Sequence, residues 1–190
     1  MQLFLDITGG IWIVFWLYWL ISALRTYAKT ERRGGFPWPV GMVMLLAAVL
    51  VLSVSGRGVN GLLLSRFVPD IPVVAVAGIV FTAAGLLFAV WARVHLGRNW
   101  SGMPMIKVGH QLVRTGPYQY VRNPIYTGIL VALIGTALVI GFWIAVLAVA
   151  AAFMAFIGKI RAEEKLLRET FGGEYEQYMR DVKALIPFVV

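Results

Sequence analysis

Residues 109–158 read GHQLVRTGPYQYVRNPIYTGILVALIGTALVIGFWIAVLAVAAAFMAFIG, which joins a polar, turn-rich insert to two apolar blocks. The blocks are Ile125–Ile140 and Phe142–Gly158, with Gly141 between them. Each is short for an independent helical span, because a bilayer core requires about 17–20 apolar residues. We therefore expect a tight helical hairpin that turns near Gly141. Whether this hairpin crosses the bilayer fully stays open at this point.

Three further apolar blocks precede the insert: Ile7–Leu24, Pro39–Ser55 and Ile71–Ala92. The chain of 190 residues is 60% hydrophobic and only 14% charged, and its mean hydropathy is +0.81. A soluble domain of this length would need more polar surface. Asp6, rather than a basic segment, precedes the first block, which favours an anchor over a signal peptide. The sequence predicts an all-α integral membrane protein with about five transmembrane helices in one domain, residues 1–190.

The basic residues are concentrated between the apolar blocks. Of the 17 lysines and arginines, 15 follow the first, third or fifth block. With five spans these three clusters lie on one side of the membrane, as the positive-inside rule requires. We therefore expect the N-terminus outside and a cytoplasmic polar face, in the inner membrane of a bacterium or archaeon. This placement argues against nucleic-acid binding despite the net charge of +8.

The remaining segments predict few further features. The absence of cysteine excludes disulfides, thiolate metal sites and a cysteine nucleophile, and we expect no metal site. Ser55–Asp70 is expected to be an external loop with a short interfacial piece. Lys159–Val182 predicts a charged amphipathic helix, which Gly172 and Gly173 interrupt. Small residues inside the spans predict close helix packing.

Four polar features are expected to converge on the cytoplasmic face: His110–Val113, the turn Gly116–Tyr118, Arg122–Tyr126 and the pair Glu163-Glu164. A hairpin returns its two ends to one surface, so the last two features should be neighbours around a pocket beside lipid. Each feature alone also fits an ordinary role. Tyrosines can lie in an interfacial belt, and glutamates in a first helical turn complement the helix dipole.

Two spaced motifs carry a resemblance to a known family. The first reads H-x-L-V-x-x-G-x-Y-x-x-x-R-N-P-x-Y from His110 to Tyr126, and the second reads E-E-x-x-L-x-x-x-F-G-x-x-Y-x-x-Y from Glu163 to Tyr178. Together with the hairpin between them, they resemble the isoprenylcysteine carboxyl methyltransferases and the related phospholipid N-methyltransferases. The resemblance covers about residues 95–190 and extends to the ending Leu185–Phe188. The apolar blocks predict three N-terminal transmembrane helices in residues 1–92, and the resemblance makes residues 93–190 the cofactor-binding and catalytic half.

The resemblance implies S-adenosylmethionine as cofactor and a lipid or lipidated small molecule as substrate. It implies that Tyr118 closes over the cofactor and that Glu163 binds a polar part of it, the ribose or the amino group. The other residues that it places along the adenosine or in the pocket lining are His110, Gln111, Leu112, Val113, Asn123, Pro124 and Tyr126. The cytoplasmic C-terminal helix would complete the pocket.

Three residues are candidates for the chemistry itself. The resemblance places a basic, substrate-facing residue four positions before Glu163, which is Lys159 here, and Arg161 is close enough to be an alternative. A cation there would orient a carboxylate nucleophile. An amine nucleophile must first lose a proton, for which Glu164 is the candidate base. Position 123 holds Asn where the prenylcysteine enzymes have His.

The most favoured function is therefore carboxyl O-methylation of a membrane-embedded lipidated substrate. Phospholipid amine N-methylation is the alternative within the same chemistry. Two further alternatives are an NADPH-dependent enzyme that resembles the sterol reductases, for which this chain is short, and a non-enzymatic membrane scaffold.

Overall fold

The computed structural model describes residues 1–27, 61–97, 100 and 112–186 of the chain. This part is almost wholly helical, as the sequence predicts. Its helices are α1 (Gln2–Tyr27), α2 (Pro72–Leu96), α3 (Pro124–Ile140), α4 (Trp143–Phe171) and α5 (Gly173–Asp181), with short 3₁₀ helices at Leu62–Leu64 and Gly116–Gln119. The second apolar block, Pro39–Ser55, lies outside the described residues.

Three of the described helices are long and apolar enough to cross a membrane: α1 over Gln2–Leu24, α2 and α4. Helix α3 is a shorter apolar helix of 17 residues. Large apolar side chains cover the outward faces of α1 and α2, for example Val14 at 68% exposed and Val73 at 74%. Such a surface requires a lipid surround, so the chain is an integral membrane protein.

The predicted hairpin is present and turns at Gly141. Helix α3 ends there with Gly141 in the left-handed conformation, φ 79°, and its N–H donates to the Ala137 carbonyl. A side chain at this position would be strained, and its Cβ would lie 2.5 Å from Nη2 of Arg66. The segment after the 3₁₀ helix Leu62–Leu64 packs on the same turn, where the Phe67 N–H donates to the Gly141 carbonyl at 2.9 Å.

The second arm of the hairpin is longer than the sequence predicts. The apolar block was expected to end near Gly158 and a separate helix to begin at Lys159. Instead α4 continues without a break for 29 residues, because residues 159–170 are mostly strong helix formers and contain neither Gly nor Pro. The predicted interruption occurs at Gly172, whose φ of 51° ends α4.

Helices α2 and α3 pack antiparallel along a seam of small residues. Gly78 faces Gly135, and Gly85 faces Gly128, so the two contacts are seven positions apart on each helix. A Cβ added at Gly85 would lie 2.5 Å from the Gly128 carbonyl oxygen, so the backbones meet directly. The close packing that the sequence predicts is confirmed.

Helix α1 packs across this pair. Phe15 is buried with Leu86, Ala89 and Ala132. Deeper in the span, Trp12 Nε1 donates to the Thr136 hydroxyl at 2.9 Å, which satisfies a polar group that lipid cannot. As a result, the C-terminal end of α2, the N-terminal end of α3 and the middle of α4 come together at one end of the bundle.

Candidate active site

The start of α3 carries the first wall of the site. Pro124 occupies the first helical position and Asn123 the N-cap, as the sequence predicts. Tyr126 therefore lies in the first turn, and its ring stacks on Phe156 of α4 with centroids 5.0 Å apart. Its hydroxyl donates to both carboxylate oxygens of Glu163, each at 3.0 Å.

The second wall is the polar stretch of α4. Lys159 Nζ lies 3.9 Å from Glu163 Oε1, one helical turn away, and both side chains are partly buried. The same ammonium lies over the Tyr126 ring, 5.4 Å from its centroid. A carboxylate, a phenol and an ammonium therefore adjoin one another where α3 meets α4, which confirms that the two ends of the hairpin are neighbours.

Arg161 lies elsewhere. Two residues correspond to about 200° around an α-helix, so Arg161 is directed away from the face that carries Lys159. It is exposed and borders an open cavity of about 350 Å³ along α4. The other described residues that line this cavity are Glu164, Lys165, Arg168 and Glu169.

Tyr118 provides a third side of the site. Gly116, with φ 61°, allows the tight turn that opens the 3₁₀ helix, and Tyr118 within it is only 7% exposed. Its hydroxyl donates to the Ala92 carbonyl at 3.4 Å. Val113 and Tyr126 pack against the same buried cluster as Tyr118, so the segment before the turn joins this wall.

Three tyrosines at this end of the bundle have pKa values above the usual value for a phenol. Burial raises the pKa of Tyr118, and the nearby Tyr178 and Glu163 raise it further. Burial also raises the pKa of Tyr175 and of Tyr178, both on α5. The Tyr178 hydroxyl donates to the Tyr118 carbonyl, which fastens α5 to the wall that Tyr118 forms.

The other predicted cofactor residues are placed as follows. Leu112 is partly buried in an irregular segment beside Val113, and Pro124 is buried at the start of α3. Asn123 Nδ2 donates to the Ala184 carbonyl at 3.2 Å, so its amide donor is turned toward the C-terminal tail. His110 and Gln111 lie outside the described residues.

Glu164, the candidate base, pairs with Arg122. Its Oε1 accepts from Arg122 Nε at 3.0 Å and from Nη2 at 2.8 Å. The two side chains are 14% and 8% exposed, so this is a largely buried ion pair. Glu164 and Glu163 thus face different partners although they are adjacent in sequence.

Sequence reasoning missed several residues at this end of the bundle. From the sequence, Arg93 is only one of the basic residues that follow the third apolar block. In the structure it is buried, donates to the Ser22 carbonyl at 3.3 Å and lies 4.1 Å from the centroid of the Trp100 ring. His95 hydrogen-bonds the Thr115 hydroxyl at 2.9 Å, which supports the turn that carries Tyr118. In the sequence these residues appear only as basic and aromatic residues at the end of an apolar block. That pattern is the same for a buried residue and for one at the membrane interface.

Comparison with known proteins gives this arrangement a context. The sequence model of the phospholipid methyltransferase family matches residues 73–174, which is more than half of the chain and includes α2, α3 and α4. The chain belongs to this family. Tyr118, Tyr126, Lys159 and Glu163 of the candidate site all lie within the matched part of the chain.

Curated relatives carry a more specific name. A probable protein-S-isoprenylcysteine O-methyltransferase of Oryza sativa subsp. indica is 31% identical over 119 residues, which is 61% of this chain and 62% of the relative. The protein-S-isoprenylcysteine O-methyltransferase of Schizosaccharomyces pombe is 32% identical over 57% of this chain and 48% of the relative. The chain thus spans about six tenths of the length of the rice protein and about half that of the yeast protein.

A solved structure shares the fold. The eukaryotic intramembrane Ras methyltransferase ICMT, an isoprenylcysteine carboxyl methyltransferase, superposes with a TM-score of 0.69. The superposition covers 98% of this chain and 68% of that one, at 20% sequence identity. The helical membrane architecture is therefore one that a methyltransferase is known to adopt.

Proposed function

We propose that this chain transfers a methyl group from S-adenosylmethionine to the carboxylate of a membrane-embedded, lipidated substrate. The observation that carries the proposal is the Glu163 carboxylate, which contacts Tyr126 and Lys159 beside the buried cluster that contains Tyr118. This cluster lies within the part of the chain that matches a methyltransferase family.

The residues present fit this cofactor. The Glu163 carboxylate can accept hydrogen bonds from ribose hydroxyls or from an amino group. The rings of Tyr118 and Tyr126 offer aromatic faces to an adenine or to a sulfonium cation, and Val113 with Leu112 supplies apolar contact. We propose that His110, Gln111, Asn123 and Pro124 complete the lining, as the resemblance implies.

When bound, S-adenosylmethionine supplies a methyl group already activated on positively charged sulfur. The chain itself then has to align the two reactants and exclude water. Such positioning contributes roughly 7–11 kcal/mol in well-oriented intramolecular reactions. Lys159 is the cation that would orient an ionised substrate carboxylate, because Arg161 is directed away from the site.

The family match also favours a second candidate, methylation of a phospholipid amine. That reaction needs a group that accepts a proton from the ammonium form. Glu164 is the candidate for this role, and its Oε1 is engaged by Arg122. The names of the curated relatives favour the carboxylate instead, so we place carboxyl O-methylation first.

The proposal extends to the placement of the protein. Residues 93–190 would form the cofactor-binding and catalytic half of one membrane domain. By the positive-inside rule the N-terminus would lie outside and the site would open to the cytoplasm, in an inner membrane of a bacterium or archaeon. The cofactor would then enter from water and the lipid substrate from between helices.

Incubation with methyl-labelled S-adenosylmethionine tests the reaction. Membranes that contain the protein are offered either a prenylated cysteine with a free carboxylate or a phospholipid with a primary amine. We expect label on the prenylcysteine that mild base releases as methanol, as methyl esters do. Label on the phospholipid that resists base would establish amine methylation instead. No transfer to either substrate, by protein that also fails to bind S-adenosylhomocysteine, would refute the proposal.

A further inference from the structure

The C-terminal tail is fastened to the start of α3 by its backbone. We define the tail segment as Val182–Leu185. The Arg122 N–H donates to the Lys183 carbonyl at 2.8 Å, and the Asn123 N–H donates to the Ala184 carbonyl at 3.0 Å. The Thr127 hydroxyl donates to the Leu185 carbonyl at 2.7 Å. Three successive carbonyls of the tail segment therefore accept hydrogen bonds from the first turn of α3 and the loop before it.

The Arg122 side chain ties this contact to α4. Its Nε and Nη2 bond to Glu164, while its Nη1 donates to the Met179 carbonyl at 3.2 Å and to the Val182 carbonyl. A single guanidinium thus joins the loop before α3, the polar stretch of α4 and the beginning of the tail segment. An arginine suits this position because its planar, multidentate donors serve several acceptors at once.

The far end of the tail segment packs on the same helix. Leu185 is 1% exposed and lies in a buried cluster with Phe156 and Ile160 of α4. Phe156 is also the residue on which Tyr126 stacks. The tail segment is therefore held at its Val182 end by Arg122, which also binds Glu164, and at its Leu185 end by direct packing on α4.

These contacts form two parallel cross-links between α4 and the α3 start. Arg122 and Tyr126 are one helical turn apart in sequence, and they bind the adjacent residues Glu164 and Glu163. If the first cross-link is removed, α4 and the tail segment can shift relative to α3. The contact between Tyr126 and Glu163 then loses its fixed geometry, and the residues of the site are no longer held in place.

We propose that Arg122 is a positioning residue that latches the tail segment and α4 onto the start of α3, and that Glu164 serves this latch rather than accepting a proton. The inference rests on the proposed function for its effect on cofactor binding, and on the contacts alone for its effect on the tail. The latch sets the affinity of the site without touching the reacting atoms.

Four variants separate this role from a catalytic one. Arg122→Gln, Glu164→Ala and Glu164→Gln all remove the ion pair, but Glu164→Gln keeps an oxygen that can accept from Arg122 and cannot act as a base. Arg122→Lys retains the charge without the multidentate geometry. Arg180→Gln is the matched control, because Arg180 is exposed and its described bonds go only to Gln177.

Titration calorimetry with S-adenosylhomocysteine and steady-state kinetics give the first readout. We expect Arg122→Gln and Glu164→Ala to weaken cofactor binding by about tenfold or more, since hydrogen bonds to charged groups are the strong ones. The value of kcat at saturating cofactor should stay within about threefold, because no transition-state contact is lost. Glu164→Gln should retain more of the cofactor affinity than Glu164→Ala, because its side-chain oxygen can still accept from Arg122. Equal loss of kcat in Glu164→Gln and Glu164→Ala, with the cofactor KM unchanged, would overturn the proposal.

Amide hydrogen exchange gives a second readout that needs no cofactor. The amides of Arg122 and Asn123 donate to the tail segment, so their exchange should accelerate in Arg122→Gln and not in Arg180→Gln. Should Arg122→Gln fail to fold, Arg122→Lys should show the same acceleration to a smaller degree. If these amides exchange at the wild-type rate in a folded Arg122 variant, the proposed latch is refuted. If the wild type binds no S-adenosylhomocysteine but Arg122→Gln still shows this acceleration, the proposed function is refuted and the latch stands.

Discussion

The Tyr126 hydroxyl donates to both carboxylate oxygens of Glu163 at 3.0 Å, across 37 residues of sequence. This contact joins the first turn of α3 to the polar stretch of α4. It exists because the hairpin turns at Gly141 and returns α4 to the level at which α3 begins. The proposed site depends on this one relationship, since it sets the position of the carboxylate.

Substitution of Tyr126 by Phe should lower the affinity of the site for its cofactor while leaving the stacking on Phe156 in place. Removal of a hydrogen bond to a charged group costs about 1.5–3 kcal/mol, so we expect affinity for S-adenosylhomocysteine to fall by roughly tenfold or more. Calorimetry measures this affinity, and Tyr120→Phe is the control because Tyr120 is 54% exposed. Equal affinities for the two variants would show that the phenol does not support the site.

Substitutions of Lys159 and of Arg161 should have different effects on the KM for a carboxylate substrate. Because Lys159 lies beside Glu163 and Arg161 is directed away, Lys159→Gln should raise the KM for a carboxylate substrate by about tenfold or more. Arg161→Gln should have the smaller effect. The measurement is initial rate against substrate concentration with both variants in the same detergent. A larger effect at Arg161 would mean that the substrate approaches from the face of α4 that carries Arg161.

The glycine seam between α2 and α3 should not tolerate a methyl group. A Cβ at Gly85 would lie 2.5 Å from a backbone oxygen, whereas a Cβ at Gly9 of α1 meets nothing within 4 Å. We expect Gly85→Ala to lower the free energy of unfolding by about 1–3 kcal/mol, as overpacking does, and Gly9→Ala to leave it unchanged. Thermal melting in detergent compares the two. A Gly85→Ala protein as stable as Gly9→Ala would contradict the packing described for these helices.

Alkaline pH should destabilise the protein through three buried phenols. The folded state raises the pKa of Tyr118, Tyr175 and Tyr178, so the unfolded chain loses these protons first, near pH 10. Their contribution to stability is therefore complete below about pH 10 and declines above it, by at most about 1.4 kcal/mol per pH unit for each phenol. Ultraviolet titration of the folded protein should show these tyrosines still protonated when exposed ones have ionised. Ionisation of all seven tyrosines near pH 10 in the folded protein would contradict the raised pKa values of these three.

Much of the architecture follows from local sequence. Two apolar blocks flanking Gly141 predict the hairpin, and a hairpin brings Arg122–Tyr126 beside Lys159–Glu164, as the structure confirms. These conclusions need only the length of a helical span and the turn preference of glycine. The roles of individual residues in cofactor binding and catalysis remain predictions.

Other features required the folded chain. Lys159 could not be distinguished from Arg161 until α4 proved to be one continuous helix, because a break at residue 158 would have changed the rotation of both about the axis. Arg122 contacts Met179 and Val182, which are 57 and 60 positions away in sequence, and no sequence periodicity predicts such contacts. Buried Arg93 has the same sequence signal as an interfacial arginine.

Titration of the purified protein with S-adenosylhomocysteine, in parallel with Glu163→Gln, tests the central claim most directly. Glu169→Gln, an exposed carboxylate on the same helix, is the control. Our account predicts saturable binding by the wild type and by Glu169→Gln, and affinity lower by about tenfold or more in Glu163→Gln. Wild-type protein that binds no S-adenosylhomocysteine, or Glu163→Gln that binds it as tightly as the wild type, would contradict the account.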